Sequence, residues 1–367
     1  MMHKAGVYIH IPFCASKCSY CDFLSFSGFE DVYENYVSKL SGDLRKNIPK
    51  GVSTVYIGGG TPTVLPMKLL EKVLTCVSEM PLMKDAEISI EANPGTVDMS
   101  YLQLLITKGV NRLSFGLQST SDRILNSIGR IHSFEQFCVN YYQAREVGFK
   151  NINVDLMFNL PGQNLDSFSN ALDKVLSLRP EHVSFYSLTP CENTPLWNDL
   201  KSGKITLACD RLDREMYYLA CDKLAENGYI HYEISNAALP GFECVHNLDC
   251  WLHEPYIGYG LGAHSFDGKI RWSNPSTFRD YFFGVEPECI VLTEAEILSE
   301  AMILGLRLLG GVSEFTFESK YGVTPSVFFD KQIRELTTKG LIRCENNYIQ
   351  LTARGLDLAN QVFMQFL

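Results

Sequence analysis

The sequence lacks a hydrophobic run long enough to cross a membrane. The best of its apolar stretches, Ala301 to Val312, carries Arg307 in its middle and falls short of the ~20 apolar residues a helical span needs. An N-terminal targeting pattern is missing too: Met1-Met2-His3-Lys4 leads directly into the strand-like Ala5 to Ile11, with no longer apolar region and no small-residue cleavage site. Positive charge is in deficit, with 32 Lys and Arg against 42 Asp and Glu. A general binder of nucleic-acid backbones needs a basic face to displace counterions, so no nucleic-acid partner is expected. Cysteine is too sparse for a disulfide scaffold, at 12 in 367 residues, and exposed thiolates do not persist as such in an oxidising compartment; a cytoplasmic location is expected. Low-complexity segments and internal repeats are absent. What is there is a chain long enough for one large folded unit and a smaller appendage.

Three of its thiols crowd one short loop, Cys14-Ala15-Ser16-Lys17-Cys18-Ser19-Tyr20-Cys21, spaced C-x3-C-x2-C. Three cysteines can hold three corners of a cubane [4Fe–4S] cluster, which leaves the fourth iron open to an exogenous ligand. A structural zinc site usually draws four ligands from two separated C-x2-C pairs. A two-cysteine redox motif has no use for Cys14, and cysteines buried as small hydrophobes fit poorly beside Ser16, Lys17 and Ser19. Cys14, Cys18 and Cys21 are the expected metal ligands. Cys244, His246, Cys250 and His253 form a second group whose spacing is irregular for zinc. Gly258-Tyr259-Gly260-Leu261-Gly262 lacks the context of a dinucleotide fingerprint and reads as backbone-permissive packing, with His264 beside it as a structural hydrogen bonder.

Along the chain, short β-rich runs alternate with amphipathic segments. Gly6–Ile11, Ser53–Ile57, Glu87–Glu91, Arg112–Gly116, Asn151–Met157 and His182–Leu188 read as strands, and Asp31–Leu44, Leu65–Met80, Met99–Lys108, Phe134–Val147 and Leu165–Leu178 as helices. Such alternation implies a parallel sheet with right-handed crossovers, and six units fall two short of a closed eight-stranded barrel. A further helix over Asp210–Asn227 and a strand near Tyr229–Ile234 precede a Gly- and aromatic-rich stretch, Asn236 to Asp267, that reads as connector and site-lining loop. From Thr293 the pattern becomes three helices, Glu294–Leu309, Glu314–Tyr321 and Ser326–Lys339, then a hairpin turning at Asn346-Asn347.

With Tyr20 ahead of its third cysteine, the thiol loop resembles the signature of radical S-adenosylmethionine (SAM) proteins. The flanking words Tyr8-Ile9-His10-Ile11-Pro12-Phe13-Cys14 and Cys21-Asp22-Phe23 are similar to those of the oxygen-independent coproporphyrinogen III oxidases and the related HemW heme chaperones. The likeness continues through Gly58-Gly59-Gly60-Thr61-Pro62-Thr63, Glu91-Ala92-Asn93-Pro94-Gly95, Phe115-Gly116-Leu117-Gln118-Ser119 and Asp155-Leu156-Met157. It implies an α/β fold, a partial (β/α)6 radical SAM barrel with a C-terminal winged-helix-like domain. The expected division is a barrel over residues 1–235, a connector and site-lining segment over 236–290, and a C-terminal domain over 291–367.

The same resemblance implies SAM as cofactor. It puts Gly59, Gly60 and Thr61 at the methionine moiety, Glu91, Gln118, Arg130 and Asp155 among the contacts, Tyr8 near the cluster and Tyr20 beside the adenine. Two of these assignments have independent grounds: glycines at a strand end let backbone groups approach a ligand, and a ligand carrying an ammonium and a ribose needs an acceptor such as Glu91. The implied chemistry is one-electron transfer from the reduced cluster to the sulfonium and hydrogen abstraction by the resulting radical, fed by an electron donor the sequence does not name.

Two functions fit. Oxidases of the family carry a fourth cysteine two residues after the third, where this chain has Phe23, and a sizeable segment ahead of the loop, where 13 residues precede Cys14. His246-Asn247-Leu248-Asp249-Cys250-Trp251 resembles the H-N-x-x-Y-W word of HemW, whose histidine is associated with heme, although Cys250 stands at the Tyr position. The expected function is therefore a HemW-like heme chaperone that binds heme through His246 and delivers it to an acceptor protein. The alternative is an oxygen-independent coproporphyrinogen III oxidase of porphyrin biosynthesis.

Overall fold

The structure, a computed structural model, describes residues 4–46 and 48–367. Alternation sets its strands. In β1 (Ala5–Ile11), Val7, Ile9 and Ile11 are fully buried and join the core shared with the helices, while Gly6, Tyr8 and His10 take the opposite face. The pattern recurs in β2 (Val52–Gly59), β3 (Leu82–Ala92), β4 (Arg112–Gln118), β5 (Ile152–Phe158) and β6 (His182–Ser187). These six pair in chain order, all parallel. Helices make each crossover, as parallel pairing requires: α1 (Tyr33–Asp43), α2 (Met67–Ser78), α3 (Met99–Thr107), α4 (Asp122–Ser127) with α5 (Phe134–Glu146), and α6 (Leu165–Leu178). The result is the partial (β/α)6 barrel that the sequence implies. Its inner face is polar, carrying Thr54, Tyr56, Ser89, Arg112, Ser114 and Asn153, most of them buried.

Both edges of this sheet are extended. After α7 (Pro195–Lys201) and α8 (Asp210–Glu226), β7 (Ile230–Glu233) and β8 (Asn236–Ala238) add antiparallel strands beyond β6. After α9 (Val245–Trp251), β9 (Tyr256–Tyr259) pairs parallel with β1. Antiparallel β10 (His264–Phe266), β11 (Ile270–Ser273) and, past α10 (Phe278–Phe283), β12 (Glu288–Val291) complete that side. Among the described residues this sheet has twelve strands. The stretch Asn236 to Asp267, expected as loops, thus supplies strands to both edges; at three or four residues each they are too short for a periodicity to be read.

The C-terminal part packs helices Glu294–Gly305, Glu314–Tyr321 and Asp330–Thr338 with the hairpin Ile342–Glu345 and Tyr348–Leu351 around a separate core that includes Met302, Phe317, Leu336 and Ile349. Asn346 and Asn347 take φ of 50° and 64°, as the tight turn of a two-residue hairpin demands. This winged-helix-like unit docks on α9: the Arg307 guanidinium lies 4.3 Å from the Trp251 ring centroid, and Lys320 Nζ donates to the carbonyls of Leu252 and His253. Among the described residues no helix is long and apolar enough to cross a membrane.

Candidate functional site

The thiol loop is held as a closed excursion from β1. Cys14 N–H donates to the Phe26 carbonyl at 2.9 Å and Phe26 N–H to that of Pro12 at 2.8 Å, while Lys17 Nζ bridges the carbonyls of Phe23 and Ser25, each at 3.1 Å. Its tip is fixed by the barrel, through Ser19 N–H to Ile128 at 3.1 Å and Leu196 N–H to Ser19 at 2.9 Å. Cys14, Cys18 and Cys21 remain partly exposed, and Thr61 Oγ1 donates to Cys14 Sγ at 3.8 Å. Burial raises the Cys14 and Cys21 thiols, a penalty that a cationic metal centre offsets by taking the thiolates. Among the described residues no three His, Cys, Asp or Glu side chains are grouped as they would be around one ion.

At the end of β2, Gly59 has φ +111°, a conformation that strains any residue with a Cβ. A Cβ there would lie 2.4 Å from His10 Nδ1, and one at Gly60 would lie 2.4 Å from the Phe13 carbonyl oxygen. On that side protein atoms fill the space, so these glycines first let β2 close on the strand that carries the thiol loop. His10 braces the same contact. Its Nε2 meets the Leu24 carbonyl at 2.8 Å and its Nδ1 the Tyr8 hydroxyl at 2.9 Å; a carbonyl only accepts, so Nε2 carries the proton and Tyr8 donates. Tyr8 reaches the thiol loop through this imidazole.

Glu91 lies half-buried at the end of β3. Tyr56 donates to its Oε1 at 2.9 Å and Gly59 N–H to its Oε2 at 3.2 Å. Burial, reinforced by the charge of Asp155 and opposed by these hydrogen bonds, raises its pKa to about 7. Asp155, on β5, is raised by burial and accepts from Asn153 Nδ2 at 2.7 Å. Gln118 ends β4 with φ 68° and accepts from the Tyr186 hydroxyl at 3.0 Å. Arg130 donates through NH1 to Asn93 Oδ1 at 2.8 Å, Asn93 Nδ2 donates to Thr61 Oγ1 at 2.7 Å, and Thr61 reaches Cys14. The guanidinium also neighbours the Tyr20 hydroxyl, and its buried Nε has no partner.

These residues converge at the C-terminal ends of the strands, where barrel sites form. A crevice lined by Ser16, Cys18, Thr61, Asn93 and Arg130 opens between the thiol loop and the segment after α4. Carboxylates for an ammonium and for hydroxyls, and an unsatisfied guanidinium N–H for a carboxylate, fit the polar groups of SAM. Sequence reasoning missed Asn93, the link between Arg130 and Thr61, and Tyr56 and His10 as supports. The available signal was alternation, since Asn93 follows Glu91 by two.

His246 lies at the other end of the barrel. Helix α9 covers the N-terminal mouth, with Glu87 accepting the N–H groups of Val245 at 3.0 Å and His246 at 3.1 Å. The imidazole is buried, shares a 2.8 Å hydrogen bond between Nδ1 and Thr54 Oγ1, and stacks on Tyr56 with centroids 5.3 Å apart. Burial, with the nearby Arg112 charge, lowers its pKa to about 4. The structure does not bring it together with the thiol loop, and Tyr56 stands between it and Glu91. His264, expected as a hydrogen bonder, is instead exposed and makes no side-chain hydrogen bond to the described residues; its strand lies between β9 and β11.

Comparison with known proteins agrees with this architecture. Residues 8–175 match the radical SAM superfamily and residues 292–358 the HemN C-terminal domain. The chain is 38% identical to the heme chaperone HemW of Bacillus subtilis, covering 99% of both chains, and 35% identical to that of Lactococcus lactis, covering 100% of this chain and 98% of the relative. The solved structure of the radical SAM coproporphyrinogen III oxidase HemN from Escherichia coli superposes with a TM-score of 0.85 at 24% identity, covering 100% of this chain and 90% of the other, a likeness of fold. With two relatives so similar from end to end, the chain belongs to the HemW family of radical SAM proteins.

Proposed function

We propose that this protein is a heme chaperone that holds a [4Fe–4S] cluster on Cys14, Cys18 and Cys21, binds SAM across the ends of the barrel strands, and passes heme to an acceptor protein. The observation that carries the reading is end-to-end similarity to relatives named heme chaperones. Phe23 supports it: the position where the resembling oxidases carry a fourth cysteine holds an exposed phenyl ring here. When bound, the cluster and SAM supply reductive cleavage of a sulfonium.

The chain's own residues bind and orient. Thr61 offers its hydroxyl to the Cys14 sulfur. Arg130, held by Asn93, presents its free Nε–H to the ligand's carboxylate, and Glu91 in its ionised form takes the ammonium. Gln118 and Asp155 serve the ribose hydroxyls and Tyr20 the base, while the Tyr8–His10 pair keeps Leu24 and the thiol loop in register with β1. In this reading residues 1–235 carry the cofactor chemistry, 236–290 line the site, and 291–367 brace the barrel from α9, in a cytoplasmic protein served by a separate electron donor.

The test is an anaerobic assay that scores heme binding and coproporphyrinogen decarboxylation on one reconstituted preparation. Heme binding without turnover is expected. Sustained multiple-turnover formation of the divinyl porphyrinogen would replace the chaperone with the oxidase.

A further inference from the structure

The buried imidazole of His246 is locked in one orientation. Its Nδ1 shares a 2.8 Å hydrogen bond with Thr54 Oγ1, and its backbone N–H is held by Glu87 Oε1 at 3.1 Å. Gly6 on β1 leaves it room, since a Cβ there would lie 3.4 Å from both Cε1 and Nδ1 of the ring. Burial and the nearby Arg112 charge hold its pKa at about 4, so between about pH 6 and pH 9 the ring is neutral. What it offers its neighbours is a surface and not a charge.

The neighbour that uses this surface is Tyr56. Its ring stacks on His246 with centroids 5.3 Å and planes 26° apart, and on Tyr8 with centroids 6.4 Å and planes 25° apart. Tyr8 is itself tied through His10 to the Leu24 carbonyl. A phenol ring stacked on two fixed rings carries its hydroxyl to a defined place. There it donates to Glu91 Oε1 at 2.9 Å, while Gly59 N–H donates to Oε2 at 3.2 Å. Burial holds the Tyr56 hydroxyl far above its usual range, so it stays a donor. Around Glu91, burial and the Asp155 charge on β5 favour the neutral acid, whereas the Tyr56 and Gly59 hydrogen bonds and the Arg112 guanidinium on β4 favour the carboxylate. Tyr8 faces it from β1.

We propose that His246 is a positioning residue of the SAM site: it fixes the ring of Tyr56, and Tyr56 through its hydroxyl orients Glu91 toward the cofactor's ammonium. The assignment rests on the reading above in which Glu91 takes that ammonium. It gives α9 a part in a site at the opposite end of the strands, reached through one rigid side chain. The C-terminal unit docks on α9 through Arg307 and Lys320, so the packing that seats His246 includes both parts of the chain.

SAM titration of the full-length, cluster-loaded protein between about pH 6 and pH 9 tests this. In the wild type, affinity should rise with a midpoint near the Glu91 value of about 7. Tyr56→Phe keeps the ring and removes the hydrogen bond, so the midpoint should move up by roughly one pH unit and affinity at about pH 7 fall roughly fivefold. His246→Asn should move it the same way by roughly half as much, His246→Phe should restore it, and in the Tyr56→Phe background His246→Asn should add no further shift. A wild-type midpoint in His246→Asn, or its full shift repeated on top of Tyr56→Phe, would overturn the assignment. If His246→Asn does not fold, Thr54→Val decides: it frees the imidazole without emptying its site, and should raise the midpoint, whereas a wild-type midpoint counts against the role of His246. A wild-type protein that binds no SAM, or a Glu91→Gln protein that titrates like the wild type, would defeat the cofactor reading itself, which separates the two failures.

Discussion

Tyr56 joins the two ends of the barrel interior: its hydroxyl donates to Glu91 Oε1 at 2.9 Å, and its ring stacks on His246 with centroids 5.3 Å apart. The half-buried carboxylate at the cofactor mouth and the buried imidazole at the opposite mouth therefore share one rigid side chain. Neither can move far without disturbing the other's partner.

Glu91 makes the cofactor-free protein sensitive to pH. Its folded pKa of about 7 stands above the ordinary 4.5, so its contribution to stability is fully present below the ordinary value and is lost as pH rises through about 7. Glu91→Gln should be near neutral at about pH 5 and stabilising by roughly 2 kcal/mol at about pH 8, allowing for partial exposure. Urea unfolding of both proteins at the two pH values checks this. A difference that does not change with pH would remove Glu91 as the cause.

SAM binding should show the opposite dependence. A cationic ammonium needs Glu91 ionised, so wild-type affinity should rise between about pH 6 and pH 8, and Glu91→Gln should lower affinity by roughly tenfold at the upper end while flattening the slope. Equilibrium titration of the reconstituted protein measures both. Unchanged affinity in Glu91→Gln would exclude the contact.

The thiol loop gives a direct prediction. Because a cluster takes one thiolate per iron from three positions, Cys18→Ala should fail to retain four irons per chain after anaerobic reconstitution, whereas Cys138→Ala, on the outer helix α5, should load like the wild type. Iron content and visible absorbance decide the matter. Full loading of Cys18→Ala would show that the cluster is held elsewhere.

Gly60 couples the fold to that loop. A Cβ at this position would lie 2.4 Å from the Phe13 carbonyl oxygen and 2.8 Å from its nitrogen, both backbone atoms next to Cys14. Gly60→Ala should therefore cost about 2 kcal/mol or more and reduce iron retention. Gly42→Ala, in α1 with no atom within 4 Å of its added Cβ, should stabilise slightly. Thermal unfolding and iron analysis of the pair separate steric displacement of the loop from a general loss of glycine.

Much of this was legible in the residues. The parallel strands announced themselves because both of their faces are enclosed, by helices outside and by the polar interior inside, which leaves a clear alternation such as Glu87-Ile88-Ser89-Ile90-Glu91. The thiol loop was legible because its chemistry is local. What stayed hidden was non-local. Helix α9 has seven residues and no readable periodicity, and its register depends on Glu87, 158 positions away from Val245. Hence His246 could be recognised as part of a word and still not be located. The close pass of β10 against β9 likewise depends on Gly258, where a Cβ would lie 2.1 Å from the His264 carbonyl oxygen, a demand no spacing rule reveals.

Glu87 offers a test of how α9 is held. Its carboxylate accepts from the Val245 and His246 N–H groups, and the Cys244 thiol lies 3.6 Å from Oε1. It is also a nearby negative charge for Arg112, which is 2% exposed. Replacement by Gln keeps one acceptor oxygen, sets an amide N–H₂ against a helix N–H, and removes the negative charge facing that arginine. The cost should be about 3 kcal/mol, combining a lost helix-end acceptor with a buried cation deprived of its counter-charge. Amide exchange should accelerate across Val245–Trp251, while iron loading stays at the wild-type level because the thiol loop sits at the opposite end of the strands. Unchanged exchange in Glu87→Gln would mean that the packing of Arg307 on Trp251, and not Glu87, secures the helix.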